Sequence, residues 1–337
     1  MAEYKEIHGT KIRNYTTNPD NPIVGEVWYN DTSNALKFIA PNTTTAGSWS
    51  SGVSLNTARA YLGSTGIQTA ALAIGGTTAT PATVANVEVY NGSGWTETGD
   101  LNTARCMLGA SGTTTAALAF GGNTGSVPST TNTNINESFN GSNWTETTDM
   151  NTARRALIGC GTSTAALGFG GRNGGYSALT EQWNGSNWTE VSDLNTGRQE
   201  LSGTGDVTAA LAIGGQVPTG PGNSGATESW NGSAWTTLPA SLNKPRGTGN
   251  SSKVSALTAL FFGGDQPVPP GRTGETELYN GTSWAEQNDM SQIRRNLGGA
   301  GSGGTSALAF GGEVAPITAV TEHWTGAGAP IGAWATS

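Results

Sequence analysis

"FNGSNWTETTDMNTARR", residues 139–155, places two acids and two arginines close together in a chain that is only 12% charged. The phrase returns as "YNGSGWTETGDLNTAR" from residue 90, "WNGSNWTEVSDLNTGR" from residue 183 and "YNGTSWAEQNDMSQIR" from residue 279. Working outward from it sets the register of most of the chain. Arginines stand at Arg59, Arg105, Arg154, Arg198, Arg246 and Arg294. Each is followed 16 or 17 positions later by a Gly-Gly pair, opened by Gly75, Gly121, Gly170, Gly214, Gly263 and Gly311. Glutamates come next, at Glu88, Glu137, Glu181, Glu228, Glu277 and Glu322, each with an aromatic two residues on. A tryptophan lies seven residues after each of the first five glutamates, whereas Trp334 lies 12 after the sixth. The period is 44 to 49 residues, a spacing that marks a repeat architecture. Only the gap from Gly-Gly to glutamate varies freely, from 11 to 16 residues. One connection per repeat is therefore variable and the rest is framework.

Each repeat reads as four short strands. Strand a begins at the arginine, as in "RAYLGSTGI"; strand b is "TAALAIGG"; strand c is "NVEVYNG"; strand d is "GWTET". Asn-Gly between c and d predicts a type I′ hairpin turn, with positive φ at both central residues. The composition agrees, since 51 Gly and 14 Pro disfavour long helices and favour strands joined by turns. A four-stranded meander cannot bury both faces alone. Stacking copies about an axis does so and leaves only short edges. The expected fold is all-β, a β-propeller of four-stranded antiparallel blades, with the small residues of strand a crowding the axis.

The Gly-Gly after strand b, the strand-c aromatic, the strand-d Trp and the Arg opening the next strand a together resemble the kelch repeat family, over residues 54–337. The resemblance implies the kelch-like propeller and leaves function open, because one fold hosts many activities. Two arrangements fit the N-terminal part. Arg13 lies 46 residues before Arg59 and Trp49 lies 46 before Trp95, so residues 10–53 read as a degenerate first blade, giving seven. The alternative is six blades plus an N-terminal hairpin module for attachment. Residues 1–9 read as a tail.

The stretch "NPIVGEVWYNDTSNALKFIAPN" is similar to a hairpin common in bacteriophage tail-fibre and other virion proteins, through Gly25, Val27, Trp28, Tyr29, Asn30, Asp31, Asn34, Leu36 and Lys37. That resemblance implies a virion structural protein, a tail-fibre or surface-appendage component, with other virion proteins and a host surface glycan or receptor as partners. A homo-oligomer is compatible with such a role. A bacterial surface adhesin or lectin, and a capsid or tail decoration protein without receptor binding, are the alternatives.

Charge and composition narrow the classes. The formal charge of −8 with no basic stripe argues against nucleic acid. No run of 18 apolar residues predicts a membrane span, and "MAEYKEIHGTK" lacks an apolar signal core, so synthesis in a host cytoplasm without export is expected. Cys106 and Cys160 have neither disulfide-framework nor metal spacing and read as small buried residues. Kelch-like oxidases hold copper through Tyr and His, but the only histidines are His8 and His323. No catalytic motif, cofactor site or metal site is expected, and the chain reads as a non-enzyme.

Each repeated Arg is expected to enter the blade interior and pair with a strand-c Glu of its own or a neighbouring blade, since a single functional site does not need six copies and buried charge must be compensated. The tryptophans are expected to pack between sheets. Asp and Asn of "DLNTAR" are expected to bond to nearby backbone and fix a tight turn. The variable b–c connections fall on one rim, where recognition is expected. Arg172, Tyr176, Asp265 and Arg272 are the candidate binding residues there.

Overall fold

An inner strand with hardly any side chain is what allows many sheets to meet at one axis. The strand-a segments are of that kind: "GSTGI", "GASG", "IGCG", "SGTG", "NS" and "GGAGSG". The computed structural model describes residues 13–15, 27–30, 32, 35–38, 47–79, 82–126, 131–218, 222–267 and 271–326. The chain divides into two units. One is Gly47–Gly326; the other comprises Met1–Ala46 and Ala327–Ser337.

Gly47–Gly326 is a β-propeller of six antiparallel four-stranded blades. Blade 1 runs a to d as Gly63–Ile67, Ala70–Ile74, Val87–Tyr90 and Trp95–Glu97. Blades 2 to 5 repeat that order, beginning at Gly109, Ile158, Ser202 and Asn250. Each strand a lies beside the strand a of the next blade, and blade 6 lies beside blade 1.

Blade 6 is assembled from both ends of the unit. Gly298–Gly303, Ser306–Phe310 and Thr321–Thr325 supply strands a to c, and Ser48–Gly52 supplies strand d. Trp49 sits opposite Trp324 in that last antiparallel pair. The seven-blade arrangement is thereby corrected. The described residues of 10–53 do not form a blade, because their final strand belongs to blade 6. The first strands of that stretch, Arg13–Tyr15, Val27–Asn30 and Ala35–Phe38, make a separate three-stranded sheet with a parallel pair, unlike any blade. Trp334, His8 and residues 1–9 lie outside the described residues.

Six apolar clusters fill the six seams between neighbouring blades. The strand-d tryptophan of one blade lies against strand b of the preceding blade: Trp95 on Phe310 at 4.7 Å, Trp188 on Phe120 at 4.8 Å, Trp235 on Phe169 at 4.8 Å and Trp49 on Phe262 at 5.0 Å. Burying one such ring is worth roughly 4–6 kcal/mol of transfer free energy before entropy is subtracted. The indole N–H also needs an acceptor. Trp95, Trp235, Trp284 and Trp49 donate to the strand-c threonines Thr321, Thr180, Thr227 and Thr276 at 2.9–3.1 Å. In blade 1 that strand-c position is Val87, and the buried Trp144 Nε1 has no acceptor. Val87→Thr is expected to raise stability by about 1 kcal/mol, the new hydrogen bond outweighing the lost methyl contact. Chemical denaturation checks it, and a fall in midpoint would show that Thr cannot reach the indole.

The buried ion pairs lie within single blades. Arg59–Glu88, Arg105–Glu137, Arg154–Glu181, Arg198–Glu228, Arg246–Glu277 and Arg294–Glu322 are 2.7–3.0 Å apart. Burial lowers the guanidinium pKa of Arg59, Arg105, Arg154, Arg198 and Arg294 against the pull of the glutamate, in Arg294 to about 10, so its charge persists at neutral pH. In blade 3 the second carboxylate oxygen of Glu181 accepts from Asn151 N at 2.7 Å and Asn151 Nδ2 at 3.0 Å. Asn151 Nδ2 also donates to Trp188 O. Asp149, just before, accepts from Asn136 N of strand c in blade 2. Asp and Asn of "DLNTAR" thus brace two different blades rather than closing a tight local turn.

The c–d turns also differ from a type I′ hairpin. Four residues, Asn91–Gly94, separate the paired Tyr90 and Trp95, and only Gly92 has positive φ. Asn91 Oδ1 instead accepts from Ser93 N and Gly94 N, so the asparagine caps the loop with its side chain.

Candidate functional site

The framework arginine delivers the chain to the axis. Two residues after it stand Tyr61, Met107, Ala156, Glu200, Thr248 and Asn296, all with φ between 53° and 59°. A non-glycine residue there costs roughly 1–2 kcal/mol. Closed bonding holds it in place. Met107 N donates to Tyr61 O at 2.7 Å, Ala156 N to Met107 O, Glu200 N to Ala156 O, Thr248 N to Glu200 O, Asn296 N to Thr248 O, and Tyr61 N back to Asn296 O. Six amides, one per blade, form a head-to-tail ring about the axis.

The residue directly after each arginine immediately precedes this ring. Those residues are Ala60, Cys106, Arg155, Gln199, Gly247 and Arg295. Each pairs through its backbone with the residue that follows a Gly-Gly: Thr77, Asn123, Arg172, Gln216, Asp265 and Glu313. The latter pair in turn with a residue of the b–c loop, Thr83, Asn132, Tyr176, Asn223, Arg272 and Ile317. The Gly-Gly is needed for this close approach. Gly75 has φ +58°, and a Cβ on it would lie 2.4 Å from the carbonyl oxygen of Arg105 in the next blade. Around the axis the framework therefore fixes the backbone at these positions while their side chains vary.

Charge is distributed unevenly over them. Blades 1 and 2 carry only neutral residues at these positions, and Ala60, Thr77, Cys106 and Asn123 among them are buried. Between blades 5 and 6, Arg295 binds Glu313 through two bonds of 3.0 Å and Asp265 through one of 2.5 Å. Arg272 donates to Glu313 Oε1 at 2.8 Å and to Val314 O at 3.0 Å. Burial alone would raise the Glu313 pKa, but the bonds from Arg295 and Arg272 hold it below the ordinary value. These four charges cancel. A cleft of about 390 Å³ opens over Asp265, Arg272 and Arg295, lined also by Gln216 and Asn223.

Blade 3 is different. Arg155 Nη1 donates to Asn132 Oδ1 at 2.8 Å, and Asn132 Nδ2 donates to Arg172 O at 2.9 Å. The Arg172 guanidinium lies over the Tyr176 ring, 5.5 Å from its centroid. Of the candidate residues, Arg172 and Tyr176 come together here, and Asp265 and Arg272 come together two blades away. They make two sites, not one. The sequence reading missed Arg155, Glu200, Arg295, Glu313 and Asn132. The signal was the pair of residues after each arginine, which changes from Ala-Tyr to Cys-Met, Arg-Ala, Gln-Glu, Gly-Thr and Arg-Asn while the arginine before it is constant.

Glu200 stands in the ring itself. Burial pushes its pKa up to about 7, assisted by Asp265 and opposed by Arg295, Arg155 and Arg172. A carboxyl whose folded pKa exceeds its unfolded value favours the folded state most when protonated. Its contribution is full below pH ~4.3 and is lost as pH rises through about 7. Glu200→Gln is expected to leave stability at pH 4 unchanged and to raise it at pH 8 by on the order of 1 kcal/mol, discounted for solvent screening. Urea midpoints at the two pH values measure it. An equal shift at both would exclude titration of Glu200 as the cause.

At the opposite end of the axis Lys253 is buried, its Nζ 2.6 Å from Asn250 Oδ1, and burial pushes its pKa down to about 7. His323 lies in strand c of blade 6, its Nε2 3.0 Å from Tyr90 Oη. Among the described residues no group of three or more His, Cys, Asp or Glu is placed to hold a metal ion. No protein-family model matches the chain, and no curated protein is found to be similar to it.

Proposed function

We propose that this protein is a non-catalytic component of a bacteriophage particle, a tail fibre or other surface appendage, whose propeller presents the b–c rim to a host surface glycan or receptor, or to a neighbouring virion subunit. The observation that carries this reading is the segregation of variation. The buried ion pairs, seam tryptophans and amide ring repeat blade after blade, while the combination of residues at the bridged positions and in the b–c loops is different for each blade. Variable positions on a rigid scaffold suit polar, adaptable recognition. The kelch-like blade signature and the virion-type hairpin sequence at residues 25–37 support the assignment to a phage structural protein.

The test replaces all six b–c loops with Gly/Ser loops of the same lengths and compares adsorption to host cells, binding on a glycan array and incorporation into particles. The reading requires that adsorption or glycan binding be lost while the melting temperature is kept. Adsorption that survives the exchange removes the rim from recognition. Loss of incorporation alone assigns the rim to a virion neighbour.

A further inference from the structure

Ten arginine side chains are described, and eight of them pair with carboxylates: the six framework residues, Arg272 and Arg295. The two without a carboxylate within 4.0 Å are Arg155 and Arg172, and these two face each other across one backbone bridge. Directly opposed residues of an antiparallel pair project to the same side. In a chain of net charge −8, two unneutralised guanidiniums sharing one spot are an exception that needs a reason.

Both guanidiniums are held in place, and by neutral groups. The Asn132 amide oxygen fixes Arg155, and the Tyr176 ring supports Arg172. A partner that orients an arginine without cancelling its charge leaves the charge available to a ligand. Burial lowers the Arg155 pKa and the neighbouring Arg172 lowers it further, as expected of like charges kept together. Glu200, in the ring, interacts electrostatically with both arginines but forms no ion pair with either.

The geometry points to an anion site at Arg155 and Arg172, flanked by Asn132 and Tyr176, that takes the acidic group of a sugar: a carboxylate, sulfate or phosphate ester whose oxygens bridge the two guanidiniums while the pyranose ring lies by Tyr176. Guanidinium forks match such planar or tetrahedral oxyanions, and Tyr supplies an apolar face with a polar edge. This inference rests on the reading of the b–c rim as the recognition face and names the ligand class for one sector of it.

The experiment titrates the full chain at low salt with a glucuronic-acid oligosaccharide, a sugar phosphate, a sulfated oligosaccharide and a neutral oligosaccharide of equal length. At least one acidic sugar is expected to bind at least tenfold more tightly than the neutral one. That affinity is expected to fall with added NaCl. Arg155→Gln and Arg172→Gln are each expected to weaken it about tenfold or more, with melting temperature unchanged. The preferred acid separates a uronic-acid polymer from a phosphorylated or sulfated one. Equal binding of acidic and neutral sugars, no binding of any acidic sugar, or undiminished binding by the folded double variant overturns the anion site. Host adsorption that depends on the b–c loops but not on these arginines would leave the proposed function standing and this inference alone refuted.

Discussion

Arg154→Ala should lower the melting temperature of the protein by on the order of 10 °C. The side chain is fully buried, and its removal leaves Glu181 charged in a place that water does not reach. The carbonyls of Gly170 and Leu179 lose their Arg154 donor at the same time. Breaking a buried pair from one side typically costs ~3–5 kcal/mol. In a body of this size each kcal/mol moves the midpoint by about 2–4 °C. The double variant Arg154→Ala/Glu181→Gln should be less destabilised than the sum of the two singles, since the second change removes the stranded charge. Calorimetry of the four proteins measures the coupling. A midpoint within about 2 °C of the parent for Arg154→Ala would mean that the pair is idle.

A chain that begins at residue 54 should fail to fold cooperatively, whereas one that begins at residue 47 should keep the propeller. The difference is strand Ser48–Gly52. Its loss strips the hydrogen bonds from the outer edge of Thr321–Thr325 and takes Trp49 away from Phe262 and Trp324. An open edge next to an unfilled apolar seam favours pairing with another chain. Aggregation or a domain-swapped dimer is the expected form of any folded remainder. Thermal unfolding and size-exclusion chromatography of the two proteins decide it. Equal cooperative transitions would show that five blades hold without the closed sixth.

The closure itself was only half legible. Trp49 stands 10 residues before Arg59, the same interval that separates Trp95 from Arg105. That spacing marks Trp49 as a strand-d tryptophan, but a ring has no first position, so spacing alone cannot say which sheet it completes. Pairing with Thr321–Thr325 is a contact between residues about 270 positions apart, and no local pattern encodes it. The strands, the seams and the buried Arg and Glu were readable because they recur in phase. The turn at Asn91 was misread because Asn-Gly suits both a two-residue hairpin and a side-chain-capped loop of four. Arg172 and Tyr176 were found as loop residues, but Arg155 sits beside a framework arginine and outside every variable loop. Only the backbone bridge between residues 155 and 172 shows that it belongs with them.

The circle of amides at the axis bears on how such a protein can change over generations. Its six bonds use main-chain atoms alone, so the scaffold does not read the letters written there, currently Y, M, A, E, T and N. The conformation does screen them: proline is barred, and valine or isoleucine is penalised, while asparagine, aspartate and glycine are welcome. A mutation at one corner therefore alters what a visitor meets without asking its five neighbours to compensate.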